Sequence, residues 1–196
     1  LRGGRGSAGG GKKKLSVPAL YAAEQPGVHP LFCDEAWWGL RAEVGRVWAR
    51  GPRPVLRVSS GRSRAPVMAA AEPATGTSVA IIAGRFDHRW FGHFPREVSR
   101  EYEGERVVLV VDRAGWHVAR KLEAPDNAIL WFLPPHSPET NPIERVWEWL
   151  RSHHTRGKLF TRLDDLLDTL SSALKEPMDD PERVRSLTGR TWLYAK

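Results

Sequence analysis

Three acidic residues occupy positions from which their side chains could act together on a phosphodiester. Asp34 comes late in a predicted strand, and Asp112 directly follows the uninterrupted apolar run 107–111. Glu144 lies in the first turn of a predicted helix. Carboxylate oxygens are the ligands that Mg²⁺ prefers. Gathered in one pocket, these three side chains would hold divalent cations that activate an oxygen nucleophile and stabilise the leaving oxygen.

Two of these acids also have structural interpretations. Asp112, shortly before Gly115, is typical of a turn or helix-cap residue. Asn141 followed by Pro142 predicts an N-cap with proline as the first helical residue. Glu144, three residues after Asn141, then fits a capping box. Residue type and spacing leave both interpretations open.

The elements that must position the acids are predicted to form one mixed sheet. Short apolar or alternating segments between turn signals predict antiparallel strands at 30–35, 38–48, 55–58, 66–72 and 77–83. Beyond Gly84, the continuous apolar runs 107–111 and 128–133 are typical of parallel strands buried on both faces. Helices are predicted at 88–102, 116–122, 142–153 and 163–174. The sum is an antiparallel unit joined to a βαβ unit.

This arrangement predicts where the acids meet. Ligands gather beyond the carboxyl ends of parallel strands, which is where Asp112 is expected. The helix 142–153 has an apolar face at i, i+3, i+4 and i+7, formed by Ile143, Val146, Trp147 and Leu150. A helix that packs on the sheet through this face brings Glu144 within reach of the strand ends.

Composition limits the class of protein. The 196 residues include 30 Lys and Arg against 23 Asp and Glu, a net charge of +7, and 41% of them are hydrophobic. These values predict a globular domain and exclude an acidic disordered tail. A single cysteine, Cys33, excludes an internal disulfide and favours a reducing compartment. No apolar run approaches the roughly 18 residues of a membrane helix.

The basic residues are concentrated in two regions. Residues 1–27 begin with a stretch of glycine, lysine and arginine and are expected to form a flexible lead-in to a folded domain at 28–196. The second region follows Glu144 and contains Arg145, Arg151, Arg156, Lys158 and Arg162. It is suited to track a phosphate backbone, although a solvated helix face explains it equally well.

The segments that contain the three acids resemble a known family. In order, they read DEAWWGL, VVLVVDRAGWH and LPPHSPETNPIERVWEWLR, with supporting segments RAEVGRVWARGPRPVLRV, EPATGTS and DPERVRSLTGRTWL. Together they resemble the DDE superfamily endonuclease domain of bacterial insertion-sequence transposases, within the mariner-like superfamily. The resemblance covers roughly residues 28 to 194. It implies an α/β, ribonuclease H-like fold with a mixed five-stranded sheet flanked by helices.

The resemblance also implies a chemistry. Asp34, Asp112 and Glu144 would be the catalytic triad and would hold two Mg²⁺ or Mn²⁺ ions. Asp34 would bridge both ions, with Asp112 on one and Glu144 on the other. Glu35, beside the first aspartate, is assigned no metal. Water would cut the element ends, and the freed 3′-hydroxyl would attack target DNA.

The partners implied are the element ends and target DNA, a homodimer because transposition joins two ends, and no membrane. The expected location is the bacterial cytoplasm, associated with the nucleoid. Contacts to DNA are expected from Arg145, Arg151, Arg156, Lys158 and His117. For His117, five residues after Asp112, a solvent-facing position at a helix start is an equal alternative.

The chain departs from the family in two respects. Arg113 stands after the second aspartate, where asparagine is common, and the family's helix-turn-helix modules have no counterpart ahead of residue 28. The chain is therefore expected to be a catalytic domain without its sequence-reading part. The first alternative is a truncated, inactive remnant that binds DNA without cleaving it. The second is a ribonuclease H-like nuclease that acts on RNA hybrids or junctions.

Overall fold

The computed structural model describes residues 25–41, 61–83, 88–112, 124–133 and 141–189. Several predicted features lie outside these ranges. They are the lead-in as far as residue 24, the strand 55–58, the strand 38–48 beyond residue 41, and the helix 116–122.

Five strands form one mixed sheet in the described part of the chain. They are β1 (Val28–Gly39), β2 (Arg64–Ala71), β3 (Ser78–Ile82), β4 (Arg106–Val111) and β5 (Ala128–Phe132). Their order across the sheet is β3-β2-β1-β4-β5. β1 is antiparallel to β2 and parallel to β4, β2 is antiparallel to β3, and β4 is parallel to β5. The predicted union of antiparallel strands with a parallel pair in one mixed sheet is confirmed, whereas the helix predicted between β4 and β5 lies outside the described residues.

β1 and β4 form the buried centre of this sheet. Residues 107–111 of β4 are all buried. This strand is covered on both faces, which explains why its sequence is a continuous apolar run rich in β-branched residues. β1 instead divides its side chains between two cores. Leu31 and Cys33 pack on one face, whereas Ala36 and Trp38 pack on the other.

Helices cover both faces of the sheet. α1 (His88–Glu101) packs Phe94 and Val98 against the face that carries Leu31 and Cys33. The opposite face is covered by α2 (Glu144–Leu150), its π-helical continuation (Arg151–Thr155) and α3 (Leu163–Asp179). α4 (Pro181–Thr188) contacts both α2 and α3. Burying one large apolar side chain of such a helix contributes about 1.5–3 kcal/mol, which is enough to fix its position on the sheet.

Two strand and helix boundaries differ from prediction. The predicted strands 30–35 and 38–48 form one strand as far as Gly39, since Ala36 and Trp38 continue the alternation without a turn. α3 continues past residue 174 to Asp179. The reason is that its buried stripe extends to Pro177.

The predicted N-cap at Asn141 is wrong by two residues. α2 begins at Glu144, and the cap position is Ile143, which makes no side-chain cap hydrogen bond. The backbone N–H groups of Glu144 and Arg145 bond to carbonyls three residues earlier, at 3.3 and 3.1 Å. Pro142 therefore lies in a tighter turn that precedes the helix rather than in its first helical position.

No helix is predicted at 181–188, where the structure has α4. The signal was present, because Asp180 precedes Pro181 and its side chain accepts a hydrogen bond from the Arg183 N–H at 3.1 Å. An aspartate N-cap followed by proline is a frequent helix start.

Candidate active site

Asp34 and Asp112 lie on neighbouring parallel strands at the same level of the sheet. Phe32 of β1 pairs with Val110 of β4, and each aspartate stands two residues beyond these partners. Adjacent strands lie about 4.8 Å apart. Because side chains alternate along a strand, this register gives Asp34 the face on which Phe32 and Val110 pack together, while Asp112 directly follows the end of β4.

α2 brings Glu144 to that same face. The apolar side chains of this helix and of the residue before it are buried against the sheet, namely Ile143, Val146, Trp147 and Leu150. Glu144 itself is exposed in the first turn of α2. Its charge acts on the carboxyl group of Asp34 and raises the pKa of that group. The structure therefore brings Asp34 and Glu144 together, with Asp112 on the adjacent strand end.

Two hydrogen bonds tie this helix to β1 on either side of Glu144. Three residues before it, the side-chain amide of Asn141 donates to the carbonyl oxygen of Cys33 at 2.9 Å. Three residues after it, the indole N–H of Trp147 donates to Oδ2 of Asp34 at 3.0 Å. Sequence reasoning assigned Trp147 only to the packing face. A buried indole that faces a strand needs an acceptor, which was the available signal.

The electrostatics of the site are dominated by Asp34. Burial, followed by the charges of Glu144 and Glu35, raises its pKa to about 7, against the opposing hydrogen bonds from Trp147 and from the Glu35 backbone. The adjacent thiol of Cys33 is buried, and burial together with the charges of Glu35 and Asp34 raises its pKa well above the ordinary value. Acidic groups are thus concentrated around Asp34 of β1, and a bound cation would offset their mutual repulsion.

The donor chemistry suits a hard divalent cation. The carboxylate oxygens of Asp34, Asp112 and Glu144 are the ligands that Mg²⁺ and Mn²⁺ prefer. In the described ranges, no three His, Cys, Asp or Glu side chains are already arranged as a metal-ligand set. The oxygen donors of the three residues therefore fit such an ion by their chemistry.

A pair of tryptophans supports the site from below. Trp38 and Trp147 are each only 1% exposed and meet edge to face, with ring centroids 5.5 Å apart. The indole N–H of Trp38 donates to Oγ1 of Thr155 at 3.2 Å, and the Arg151 guanidinium lies 4.9 Å from the centre of the Trp38 ring. The predicted position of Trp147 on the apolar face of its helix is confirmed.

The predicted DNA-contact residues lie in different surroundings. Arg145 is exposed beside Glu144 and forms an ion pair with Glu148 at 3.3 Å. Arg151 lies over Trp38, whereas Arg156 and Lys158 are exposed at the end of the π-helical turn. His117 lies outside the described residues.

A cavity of about 460 Å³ runs beside α2, which sequence reasoning did not anticipate. Arg145, Trp149, Ser152 and Arg156 line one wall, and Ser186 of α4 contributes to the other. The four residues on the first wall form a helical stripe that leads away from Glu144. Because α4 itself was not predicted, its contribution could not be found from the sequence.

None of the described helices combines the length and the apolar character needed to cross a membrane.

Sequence comparisons give two matches. The profile of one protein family, described as DDE superfamily endonuclease, matches residues 29–167. An uncharacterised protein of Sinorhizobium fredii, y4pE/y4sA, is 34% identical over 123 residues. That alignment covers 62% of this chain and 91% of the relative.

Solved structures with a similar fold include complexes of the Mos1 transposase. The paired-end complex with the left transposon end has a TM-score of 0.53 at 12% identity, covering 98% of this chain and 67% of that chain. A pre-cleavage Mos1 transpososome gives 0.54 at 12%, covering 86% and 57%. The Mos1 mariner paired-end complex with Mn gives 0.53 at 12%, covering 85% and 55%. The latter two coverages mean that this chain spans little more than half of those proteins. The likeness confirms the expected ribonuclease H-like fold.

Proposed function

The chain belongs to the DDE superfamily endonuclease family, and we propose that it is the catalytic domain of a DNA transposase of the bacterial insertion-sequence type. In this proposal it cleaves DNA and transfers strands, using Asp34, Asp112 and Glu144 as its catalytic triad. Element ends and target DNA are the substrates, and a homodimer holds the two ends.

The observation that supports this proposal is the placement of acids from distant parts of the chain around two neighbouring parallel strands. Asp34 lies in β1, Asp112 directly follows β4, and the charge of Glu144 acts on Asp34 from a helix tied to β1. The raised pKa of Asp34, about 7, reflects burial and the nearby charges of Glu144 and Glu35. A partly buried carboxylate beside other acids contributes poorly to stability, and cation binding would account for the presence of Asp34 here.

Two Mg²⁺ or Mn²⁺ ions, when bound, would supply charge neutralisation and an activated oxygen nucleophile for in-line phosphodiester cleavage. Asp34 would hold both ions, Asp112 one of them and Glu144 the other. The core beneath α2 keeps Glu144 in place, and Asn141 fixes the start of that helix against Cys33. In this proposal Arg145, which is exposed and adjacent to Glu144, contacts a phosphate near the scissile one, and the exposed Arg156 and Lys158 contact the DNA backbone further along.

The test is a DNA cleavage assay on supercoiled plasmid and on oligonucleotides, with Mg²⁺ or Mn²⁺ and with EDTA as the metal-free condition. Asp112→Asn and Glu144→Gln are expected to lower the cleavage rate at least 10³-fold, on the order of the loss of one transition-state group. Asp168→Asn is the matched control, because Asp168 is an exposed acid of α3, away from the site.

Each outcome of that assay identifies one hypothesis. Cleavage that requires both the cation and Asp112 supports the transposase. DNA retention without cleavage by the wild-type chain supports an inactive remnant. Preferential cleavage of RNA–DNA hybrids in a competition assay supports the other class of ribonuclease H-like nuclease.

A further inference from the structure

Residues 141 and 147 are arranged symmetrically around Glu144 and bond to consecutive residues of β1. Asn141 bonds to the Cys33 carbonyl oxygen and Trp147 to the Asp34 carboxylate. The first bond joins helix to backbone and fixes where α2 sits. The second reaches the side chain of Asp34 itself, so it acts on the orientation of the carboxylate.

The geometry of the Trp147 bond leaves the carboxylate available for ligands. An indole carries a single N–H and no acceptor, so it occupies one lone pair on Oδ2 at 3.0 Å. The Glu35 backbone N–H takes a second position on the carboxylate, and its remaining lone pairs are available to other partners. A carboxylate that rotates freely about its last bond presents its ligand oxygens in many orientations. A carboxylate anchored by a hydrogen bond presents them in one orientation.

Trp147 is itself held rigidly. Its ring is 1% exposed and is packed edge to face on Trp38, at 5.5 Å between centroids. Trp38 is fixed in turn by its bond to Thr155 in the π-helical turn and by the Arg151 guanidinium above it. An unbroken series of contacts therefore runs from Asp34 through two tryptophans to the segment that continues the Glu144 helix.

Packing alone does not require the N–H of Trp147. A phenylalanine at this position would fill much of the same apolar volume, but it has no donor for Oδ2. Few groups near Asp34 stabilise its charged form against burial and the neighbouring acids. The two that lower its pKa are the Trp147 indole and the Glu35 backbone N–H, and only the indole belongs to the helix that carries Glu144.

We propose that Trp147 is a positioning residue: its indole N–H fixes the Asp34 carboxylate in the orientation that binds a divalent cation and sets that carboxylate relative to Glu144. This role rests on the proposed function, because it concerns cation binding by Asp34.

The hydrogen bond is tested first, without metal, in the ¹⁵N-labelled protein. The nine tryptophans give separate indole N–H signals, and the Trp147 signal is identified by its absence from Trp147→Phe. Asp34→Asn is expected to move this signal upfield, because a neutral amide oxygen is a weaker acceptor than a carboxylate. A Trp147 signal that does not move between wild type and Asp34→Asn overturns the proposal.

Cation binding is tested second, by calorimetric titration with Mn²⁺ well below the unfolding temperature. Loss of a hydrogen bond that orients a ligand typically weakens metal affinity about 10–100-fold, and this is the fall expected for Trp147→Phe. Trp149→Phe is the matched control, since Trp149 is a partly buried tryptophan of the same helix that stacks on His153, and it is expected to stay within about twofold of wild type.

The outcomes separate the two levels of inference. Equal Mn²⁺ affinities for wild type and Trp147→Phe contradict the role of Trp147 and leave the proposed function standing. A wild-type chain that binds no Mn²⁺ contradicts the proposed function and, with it, this role. A purely structural role would lower the melting temperature of metal-free Trp147→Phe without changing the affinity of its folded form.

Discussion

At the scale of single residues, the end of the sheet opposite to the acids holds a buried polar cluster around Glu72. This carboxylate is only 3% exposed and accepts hydrogen bonds from Thr75 at 2.7 Å and from Tyr102 at 2.8 Å. His29 lies 3.0 Å from it through Nδ1 and contacts Glu105 through Nε2. Burial alone lowers the pKa of His29, but the hydrogen bonds and charges of Glu72 and Glu105 together raise it above its ordinary value.

A raised histidine pKa makes stability depend on pH in a known direction. The stabilisation from His29 is fully present below its unfolded pKa of about 6.5 and is lost as the pH rises through the folded pKa. His29→Gln is therefore expected to lower the free energy of unfolding more at pH 6 than at pH 9, as measured by urea denaturation. His93→Gln, an exposed histidine of α1, serves as the control. A loss that is equal at both pH values would contradict the ion pairing.

The three candidate acids could be selected from the sequence, but the residues whose hydrogen bonds fix α2 against β1 could not. Asp34, Asp112 and Glu144 could be singled out because each follows or begins a recognisable element. Asn141 was recognised as a capping residue, yet its amide bonds to the Cys33 carbonyl, 108 positions away. Such bonds depend on how α2 docks on β1, and a linear pattern contains no information about that docking.

At the scale of elements, the β2–β3 turn depends on a glycine that contacts α4. Gly76 has a φ of +83°, and a Cβ at this position would lie 2.0 Å from the Pro181 carbonyl oxygen. Gly104, after α1, has nearly the same φ, +80°, but a Cβ there would meet nothing within 4 Å. The two positions therefore separate backbone strain from the clash with α4.

Gly76→Ala is expected to destabilise the protein more than Gly104→Ala. A left-handed conformation costs a non-glycine residue about 1–2 kcal/mol, which both variants incur. Gly76→Ala must in addition displace the backbone at the start of α4, so its total cost should exceed about 3 kcal/mol. Urea denaturation of both variants measures the difference, and equal costs would show that α4 does not rest on this turn.

The antiparallel and parallel character of the strands was predictable, whereas their order across the sheet and several boundaries were not. β4 and β5 were recognised because buried parallel strands have continuous apolar runs, and α1 because its helical pattern extends over its whole length. The division of β1 into two strands was wrong, since the sequence around residue 36 contains polar and aromatic residues that look like a break. Only the pairing with β2, which continues from Phe32 to Gly39, shows one strand.

At the scale of the whole molecule, exposed basic residues lie on both sides of the sheet, but only one side contains the candidate site. α2 and its continuation present Arg145, Arg156 and Lys158 on the side of the candidate site. Arg100 belongs to α1 on the opposite face, where it pairs with Glu97 at 2.7 Å. Because binding to a phosphate backbone releases counterions, the contribution of each basic residue can be read from the salt dependence of affinity.

Arg156→Ala and Lys158→Ala are each expected to weaken DNA binding in the absence of divalent metal. Each should also reduce the slope of log K against log salt by about 0.9, the value for one lost phosphate contact. Arg100→Ala removes the same charge from the other face and should leave the slope unchanged. Fluorescence anisotropy over a salt series measures all three, and equal slopes for Arg100→Ala and Arg156→Ala would contradict a binding surface beside α2.

The distance along the chain between Trp38 and its partner Thr155, 117 positions, has a consequence for synthesis of the protein. While the ribosome is still producing residues near 140, β1 has already been synthesised, but the segment 141–155 that packs on it does not yet exist. The hydrogen bonds that Asn141 and Trp147 make to β1, and the bond from Trp38 to Thr155, therefore form only after translation has passed the π-helical turn. A polypeptide that ends before residue 141 leaves this side of β1 without the helix that covers it.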